Sequence, residues 1–277
     1  MRTLDFQAAG VSPPMETLDK ALGPGNELKG RPRTLIERLF ERYLKCLGRP
    51  DLVRKSRYFS GAPGKPIETA YRQTYKGKRI YGVRQSLQKL VGNRCPSCGG
   101  SRPTELDHHL AKTDYPEFSV LPINLVPYCG GCNGKKSDRQ VADPEKAFIH
   151  PYLDIVPDVP YLTVAIQQNA SVTAQIAFDA NAALGSDLLK KRMAHQFETV
   201  DVPTQLASEI VEFLEEHADN IAGAGLPDGA PVSSYLASTA DRVAARLGHS
   251  FWKVAILRAL AADAVFCAGG YKALLKP

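Results

Sequence analysis

Two cysteine pairs, and a short polar run between them, are the residues of this sequence that could do chemistry. The pairs are Cys95 and Cys98 in RCPSC and Cys129 and Cys132 in YCGGC, and the run is LDHH at residues 106–109. Each C-x-x-C pair lets one tight turn direct two thiolates at the same ion, and four thiolates complete the tetrahedral shell of Zn²⁺. The spacing therefore predicts a closed, structural zinc site. The alternative is a chance set of buried thiols.

The stretch from Cys95 to Lys136 resembles the HNH nuclease motif, or ββα-metal finger, in its four-cysteine form. That family shows an Asp-His pair at the end of a strand, an asparagine in N-L-x-x-x-C, and a histidine or asparagine directly after the second C-x-x-C. The matching residues here are Asp107 and His108, Asn124 in NLVPYC, and Asn133 in CNGKK. Because the final residue is an asparagine, the chain resembles the H-N-N variant of the motif.

A longer string, DHHLAKTDYPEFSVLPINLVPYCGGCN, is similar to a bacterial subgroup of this family that is often encoded among anti-phage defence genes. That subgroup commonly reads DHYLPK and then YPEFSVLPLNLVP. This sequence departs from it at His109, where a tyrosine is usual, and at Ala111, where a proline is usual. Near the C-terminus, FWKVAILRALAADAVFCAGGY resembles the terminal helix and glycine turn of the same subgroup. The resemblance implies an effector nuclease of a defence system, with a partner such as an ATPase or a sensor subunit.

The resemblance also implies a role for each matched residue, and the chemistry of phosphodiester hydrolysis suits those roles. His108 would be the general base that activates water, because a neutral imidazole accepts a proton near pH 7. Asp107 and Asn133 would bind one catalytic Mg²⁺ or Mn²⁺ through oxygen atoms. Asn124 would hold the loop that carries the base and so fix the direction of the imidazole. In an alternative register, His108 binds the metal ion and His109 is the base.

An excess of basic residues precedes the first cysteine pair. The whole chain has a net charge of +6, but residues 29–94 contain eighteen Lys and Arg, interleaved with tyrosines, and only four acidic residues. Such a pattern is typical of a surface that binds nucleic acid. A solvated basic face, or a docking surface for an acidic protein, would explain it equally simply. The candidate nucleic-acid-binding residues are Arg38, Arg42, Lys45, Lys76, Lys78, Arg79 and, in the helix of the finger, Lys135 and Lys136.

Four segments are expected to position these residues. Residues 1–33 are rich in Pro and Gly and are predicted to be a flexible arm. Residues 34–92 would form the basic helical region and 93–150 the finger. Residues 151–277 would form an α+β accessory domain that docks a partner or a second copy of the chain.

The helices and strands follow from hydrophobic periodicity. TLIE predicts a helix capped at Thr34, with Leu35, Leu39, Tyr43 and Leu47 on its apolar face, and a second helix is predicted over 83–91. TVAIQ and VTAQIAF predict a β-hairpin, followed by helices over 204–219, 233–247 and 250–266. The predicted fold class is α+β.

The expected function is metal-dependent hydrolysis of DNA phosphodiester bonds, on double-stranded DNA. A single finger supplies one active centre, so a monomer should nick DNA, and double-strand cutting would need a homodimer or a second event. The alternatives are a nuclease for RNA and a non-catalytic zinc-finger protein that binds DNA or acts as an adaptor. The N-terminus lacks the apolar core of a secretory signal, and no stretch approaches the ~18 apolar residues of a membrane span, which predicts a cytoplasmic protein without membrane contact.

Overall fold

A computed structural model of the chain describes residues 1–137, 143–169 and 171–275. The chain divides into two units. The first contains Met1–Val156 and Asp187–Val200, and the second contains Pro157–Ser186 and Asp201–Pro277. Both helices and small antiparallel sheets occur among the described residues, so the predicted α+β class is confirmed.

The described residues of the first unit form six α-helices and one two-stranded sheet. They are α1 (Pro14–Leu22), α2 (Gly30–Lys45), α3 (Lys65–Ala70), α4 (Tyr81–Val91), β1 (Glu105–His108), β2 (Leu125–Tyr128), α5 (Gly130–Lys136) and α6 (Asp187–Thr199). Short 3₁₀ helices lie between several of them, including Tyr71–Thr74, Pro116–Phe118 and Pro122–Asn124.

Strands β1 and β2 form the antiparallel pair at the centre of the expected finger. Their register pairs Glu105 with Tyr128 and His108 with Leu125, so the paired region ends at Asp107 and His108. All four residues of β2 are buried, and α5 begins directly after it. The loop of residues 109–124 therefore starts next to His108 and returns to the same place.

Helix α2 begins earlier than expected and buries a different face. It starts at Gly30 rather than at Thr34, and its buried residues are Ile36, Phe40 and Tyr43. Leu35 and Leu39 are only partly buried, so the predicted apolar stripe was wrong except for Tyr43. Both stripes have helical spacing, and periodicity alone does not choose between them.

The ring of Phe118 explains which face of α2 is buried. Its centroid lies 5.0 Å from that of Tyr43 and 6.2 Å from that of Phe40. Phe118 itself is fully buried in the loop that joins β1 to β2. The tertiary contact with this loop therefore selects the side of α2 that faces inward and leaves Arg38, Arg42 and Lys45 exposed.

Residues 1–33 form regular structure, where the sequence favoured a flexible arm. Leu18 in α1 is fully buried, and Leu4 donates its backbone N–H to the Pro151 carbonyl at 2.7 Å. Arg33 pairs with Asp19 at 2.8 Å and links α1 to α2. The Pro and Gly residues bound α1 instead of preventing it, since a proline is tolerated in the first turn of a helix and a glycine ends it.

Helix α6 was not predicted and belongs to the first unit, although it follows residue 151. Its Arg192 forms a buried ion pair with Asp154, at 2.6 Å and 2.8 Å. Arg192 also donates to the carbonyl oxygens of Ala147 and Phe148. The first unit thus contains residues on both sides of the boundary that we placed at 150/151.

The second unit agrees more closely with the sequence. The predicted hairpin is confirmed as β3 (Leu162–Gln168) and β4 (Val172–Phe178), paired antiparallel. The helices are α7 (Val202–Gly223), α8 (Ala230–Leu247), α9 (Trp252–Ala262) and the short α10 (Ala264–Cys267). Throughout the described residues, no helix combines the length and the apolar character that a membrane crossing requires.

Candidate metal centre and active site

The four cysteines converge as their spacing predicts. The Sγ atoms of Cys95, Cys98, Cys129 and Cys132 all lie within 4.8 Å of one another, and all four residues are buried. Zn²⁺ bound to thiolates at about 2.3 Å places the sulfurs about 3.8 Å apart in a tetrahedron. The Sγ atoms of Cys98 and Cys129 are 3.9 Å apart. The four cysteines are therefore positioned to bind a metal ion, consistent with structural zinc.

The first turn of α5 supports the second cysteine pair. Cys129 is the N-cap residue of α5, and its Sγ accepts the backbone N–H of Cys132 at 3.5 Å. A backbone N–H directed at a thiolate stabilises its negative charge, as at other helix N-termini. Because β2 leads into Cys129, a metal ion held by the four cysteines would also hold β2 against β1.

His108 lies at the end of β1 with its imidazole enclosed on two sides. Its Nε2 is 2.9 Å from the carbonyl oxygen of Ser119, and its ring centroid is 4.4 Å from that of Tyr71. A carbonyl can only accept, so Nε2 carries the proton and Nδ1 has the free lone pair. Burial lowers the pKa of His108 to about 4, which leaves the imidazole neutral at pH 7.

Asp107 points to the other face of β1, because successive side chains of a strand alternate. Its Oδ2 accepts a hydrogen bond from Lys136 Nζ at 2.7 Å, and the same ammonium donates to the His108 carbonyl at 2.8 Å. We had expected Lys136 to contact phosphate from an exposed helix. The structure instead leaves it 4% exposed and uses its charge to join α5 to β1.

Asn133 is joined to the same strand, one turn earlier in α5. Its Nδ2 donates to Oε2 of Glu105, which lies on the same face of β1 as Asp107. This contact uses the amide nitrogen and not the amide oxygen. The structure thus brings Asn133 and Asp107 to one face of the strand, and His108 to the opposite face.

Asn124 holds both ends of the loop between the strands. It is fully buried, and its Oδ1 accepts hydrogen bonds from the Leu110 N–H at 2.8 Å and from the Tyr43 hydroxyl at 2.9 Å. Its Nδ2 donates to the carbonyl oxygens of Leu110 and Phe118, each at 3.1 Å. The side chain therefore fixes the chain immediately after the Asp-His pair, as a residue that orients the base would.

His109 and His150 lie behind this network. Their ring centroids are 4.2 Å apart, and both residues are buried. His150 Nδ1 accepts the Tyr152 N–H at 3.2 Å, so Nε2 carries the proton toward the Tyr43 oxygen, 3.0 Å away. Burial lowers the pKa of His150 to about 3. The His109 ring thus packs on His150, and its backbone N–H donates to the Asn124 carbonyl at 2.7 Å.

The other basic candidates lie in two kinds of environment. Lys76 and Lys78 are exposed, as are the three candidates on α2. Arg79 is exposed as well, but its guanidinium donates to the carbonyl oxygens of Lys20, Ala21 and Leu22 at the end of α1. It satisfies carbonyls that a helix C-terminus leaves without partners, which gives Arg79 a structural role, and its contact with nucleic acid stays a prediction. Lys135 is partly buried in α5.

Sequence reasoning missed a buried carboxyl group in the loop between the strands. Glu117 is fully buried, and its Oε1 accepts the Ser56 N–H at 3.3 Å. Within residues 1–137, 143–169 and 171–275, its Oε2 has no hydrogen-bond partner. Burial raises the pKa of Glu117 to about 7. A glutamate in a 3₁₀ turn between two apolar residues gives no sequence signal of this burial.

Glu117→Gln should remove a pH dependence of stability. An unfolded glutamate loses its proton near pH 4.5 and the folded one near pH 7, so the free energy of unfolding falls as pH rises between these values, by about 3 kcal/mol. Glutamine resembles the protonated acid, so the variant should exceed the wild type in stability at pH 8 and match it near pH 5. Urea unfolding at both pH values measures this.

The matched control for Glu117→Gln is Glu41→Gln, on the exposed face of α2. It should leave the difference between pH 5 and pH 8 as in the wild type. If Glu117→Gln also leaves that difference unchanged, the carboxyl group ionises with an ordinary pKa and its burial costs little.

Comparisons with known proteins find similarity over part of the chain. Protein ea31 of Escherichia phage lambda is 49% identical over 65 residues, which are 23% of this chain and 22% of that protein. Septu protein PtuB of Bacillus thuringiensis is 30% identical over 86 residues, which are 28% of this chain and 33% of that protein. No family model and no solved structure matches. The chain thus spans a third or less of the length of these curated relatives.

Proposed function

We propose that this protein is a metal-dependent endonuclease of the HNH type, which hydrolyses DNA phosphodiester bonds with His108 as the general base. The observation that carries the proposal is the position of the His108 imidazole. Its Nε2 is held by the Ser119 carbonyl, so the Nδ1 lone pair is the one that can accept a proton from water. The four-cysteine cluster and Asn124 hold the two ends of the segment that presents it.

The residues proposed for the catalytic metal ion have suitable donor atoms. Asp107 offers a carboxylate that is 19% exposed and already accepts one cation, the Lys136 ammonium, at 2.7 Å. Asn133 has an amide oxygen that its contact with Glu105 does not use. Oxygen donors of this kind suit Mg²⁺ or Mn²⁺, which would stabilise negative charge on the phosphate and on the leaving oxygen. Lys136 would hold the Asp107 carboxylate in place until the ion binds.

The proposed finger would be a ββα-metal fold made of β1, β2 and α5, with zinc as its structural ion. Asp107 would help to hold the ion beside the phosphate, and His108, at the end of β1, would take the proton of the water that attacks the same phosphate. With one such centre per chain, a monomer would cut one strand. The exposed cations of α2 would contribute to binding of the DNA backbone.

A role in anti-phage defence is the physiological setting that we propose. It is supported by two similarities. The string that begins with DHHLAK and ends with CGGCN resembles a defence-associated subgroup, and part of the chain is similar to Septu protein PtuB. In that setting the second unit would dock a partner such as an ATPase or sensor subunit, or a second copy of the chain.

Cleavage of supercoiled plasmid in Mg²⁺ or Mn²⁺ tests the proposal. The wild type should convert it to the nicked form, and His108→Ala should lower the rate by about 10²- to 10⁴-fold, the usual contribution of a general base. His249→Ala, an exposed histidine of the second unit, is the control that should cleave normally.

Other outcomes would point to the alternative functions. Equal nicking by wild type and His108→Ala would remove His108 from the mechanism. Cleavage of RNA without cleavage of DNA would favour the nuclease for RNA. Binding of DNA with no cleavage of either, across divalent ions, would favour the adaptor protein.

A further inference from the structure

Two tyrosines and two cations form a surface beside His108 that the proposed mechanism does not use. We call Tyr71, Tyr75, Arg84 and Lys112 the tyrosine platform. The ring centroids of Tyr71 and Tyr75 are 5.8 Å apart in an edge-to-face arrangement. Tyr71 is buried, whereas Tyr75 is 47% exposed, so the platform has one supported end and one end that is open to solvent.

Each cation of the platform is held over one of the rings. The Lys112 ammonium lies 4.9 Å from the centroid of Tyr71, and the Arg84 guanidinium carbon lies 5.6 Å from that of Tyr75. Arg84 also donates to the Thr74 carbonyl at 3.2 Å. Cation–π contacts of this length are attractive and restrict where each charge can be. The two charges are thus positioned by the fold instead of moving freely on the surface.

Within the described part of the chain, no carboxylate neutralises either cation. Among the residues that the structure describes, Lys112 and Arg84 form no ion pair, whereas Lys55, Lys65 and Arg49 each do. The platform therefore presents two unneutralised positive charges over aromatic rings. Such a surface attracts a polyanion more strongly than it attracts a neutral or cationic ligand.

The platform is directly attached to the strand that carries the Asp-His pair. The Tyr71 hydroxyl donates to the Leu106 carbonyl in β1, and the Tyr71 ring packs on the His108 ring. Lys112 and His108 both contact the Tyr71 ring, the ammonium at 4.9 Å and the imidazole at 4.4 Å from its centroid. A phosphate bound by Lys112 would therefore lie next to a bond within reach of His108.

We propose that the tyrosine platform binds the DNA strand next to the bond that is cleaved by the water activated by His108, with Lys112 and Arg84 on backbone phosphates and Tyr75 against a sugar or base. The proposal rests on the function proposed above and adds a substrate-binding site to it. The Tyr71 and Tyr75 rings are 5.8 Å apart and each carries one of the two cations, so both charges belong to one surface along which a single DNA strand can lie.

Equilibrium binding to a labelled DNA duplex over a range of salt concentrations, without added divalent ion, tests the platform. Each phosphate contact contributes about 0.9 to the slope of log affinity against log salt. Lys112→Met and Arg84→Met should each reduce the slope by about 0.9, and the double variant by about 1.8. If the wild type and a single variant bind equally at 1 M salt, a slope difference of about 0.9 makes the variant bind about eight-fold more weakly at 0.1 M salt.

Matched variants separate the platform from general surface charge. Lys89→Met removes one charge from an exposed position of the same helix as Arg84 and should leave the slope unchanged. Tyr75→Phe should bind as the wild type, and Tyr75→Ala should bind more weakly. Thermal unfolding should show that all of these variants are folded.

The outcomes distinguish this proposal from the proposed function. Slopes that change equally in Lys112→Met, Arg84→Met and Lys89→Met would overturn the platform, and so would slopes that change in none of them. A slope loss seen on RNA but not on DNA would overturn the assignment of DNA as its ligand. A platform confirmed by binding, in a protein that cleaves nothing, would leave the platform standing and reject the nuclease.

Discussion

Removing the metal ion from the four-cysteine cluster is expected to unfold the first unit. A structural zinc site releases about 10–16 kcal/mol of apparent binding free energy, which is as large as the whole stability of a typical domain. Without the ion, the four buried side chains would repel one another if they ionised to thiolates. If they stayed protonated, they would be buried without the partner that the ion provides. The strand β2 and helix α5, which meet at Cys129, would lose their common anchor.

Zinc content, thiol reactivity and amide hydrogen exchange measure this effect. The purified protein should contain one zinc ion per chain, and a strong chelator should expose four additional reactive thiols together with the amides of β1, β2 and α5. The second unit carries none of the four cysteines, so the amides of α7 and α8 should stay protected and serve as an internal reference.

Cys129→Ala should behave like the chelated protein, and Cys46→Ser should behave like the wild type. Retention of protected β1 and β2 amides after complete zinc loss would show that the cluster is not needed for the fold.

Asn124→Ala is expected to cost about 4 kcal/mol of unfolding free energy, the largest effect of any single side chain considered apart from the cysteines. The change removes the Asn124 side chain from four buried groups: the Leu110 N–H and carbonyl, the Phe118 carbonyl and the Tyr43 hydroxyl. The Phe118 carbonyl keeps the Leu121 N–H and the Tyr43 hydroxyl keeps His150, so the two Leu110 groups carry most of the cost. A buried polar group that loses its hydrogen bond costs about 1–3 kcal/mol, and partial relaxation of the loop offsets some of the total.

Denaturant unfolding measures the loss of stability in Asn124→Ala. The rate of plasmid nicking, corrected for the folded fraction, shows whether His108 is still correctly oriented. Asn26→Ala is the matched control, because that asparagine is exposed and makes a single local contact at 3.4 Å. It should change stability by less than about 0.5 kcal/mol. A loss below about 1 kcal/mol in Asn124→Ala would mean that water replaces the amide and that the network does not hold the loop.

Tyr43→Phe offers a milder test of the same network. It removes the hydroxyl that joins Asn124 to His150 and keeps the ring that packs on Phe118. Because only one of the Asn124 contacts is lost, its cost should lie well below that of Asn124→Ala. The two variants together separate the hydrogen bonds of the loop from the aromatic packing beneath it.

Much of the site was predictable because its signals are local. Each C-x-x-C pair is confined to one turn, and the convergence of the two pairs requires only that a hairpin join them. The alternation of Asp107 and His108 across β1 follows from the two-residue period of a strand. The β3–β4 hairpin and the three long helices of the second unit likewise follow from hydrophobic period and from turn residues.

The sequence by itself thus determined the four cysteines that converge, the chemical types of the residues between them, and the α+β class. Only the tertiary structure decided which face of α2 is buried, that Lys136 joins Asp107 instead of facing solvent, that α6 belongs to the first unit, and that Tyr71 and Lys112 lie beside His108. The physical reason is the distance in sequence over which each interaction acts. Turn geometry and side-chain periodicity act over a few residues, whereas Tyr43 meets Asn124 across 81 positions and Arg192 meets Asp154 across 38. Contacts of that range depend on how whole elements pack, and local sequence patterns do not specify them.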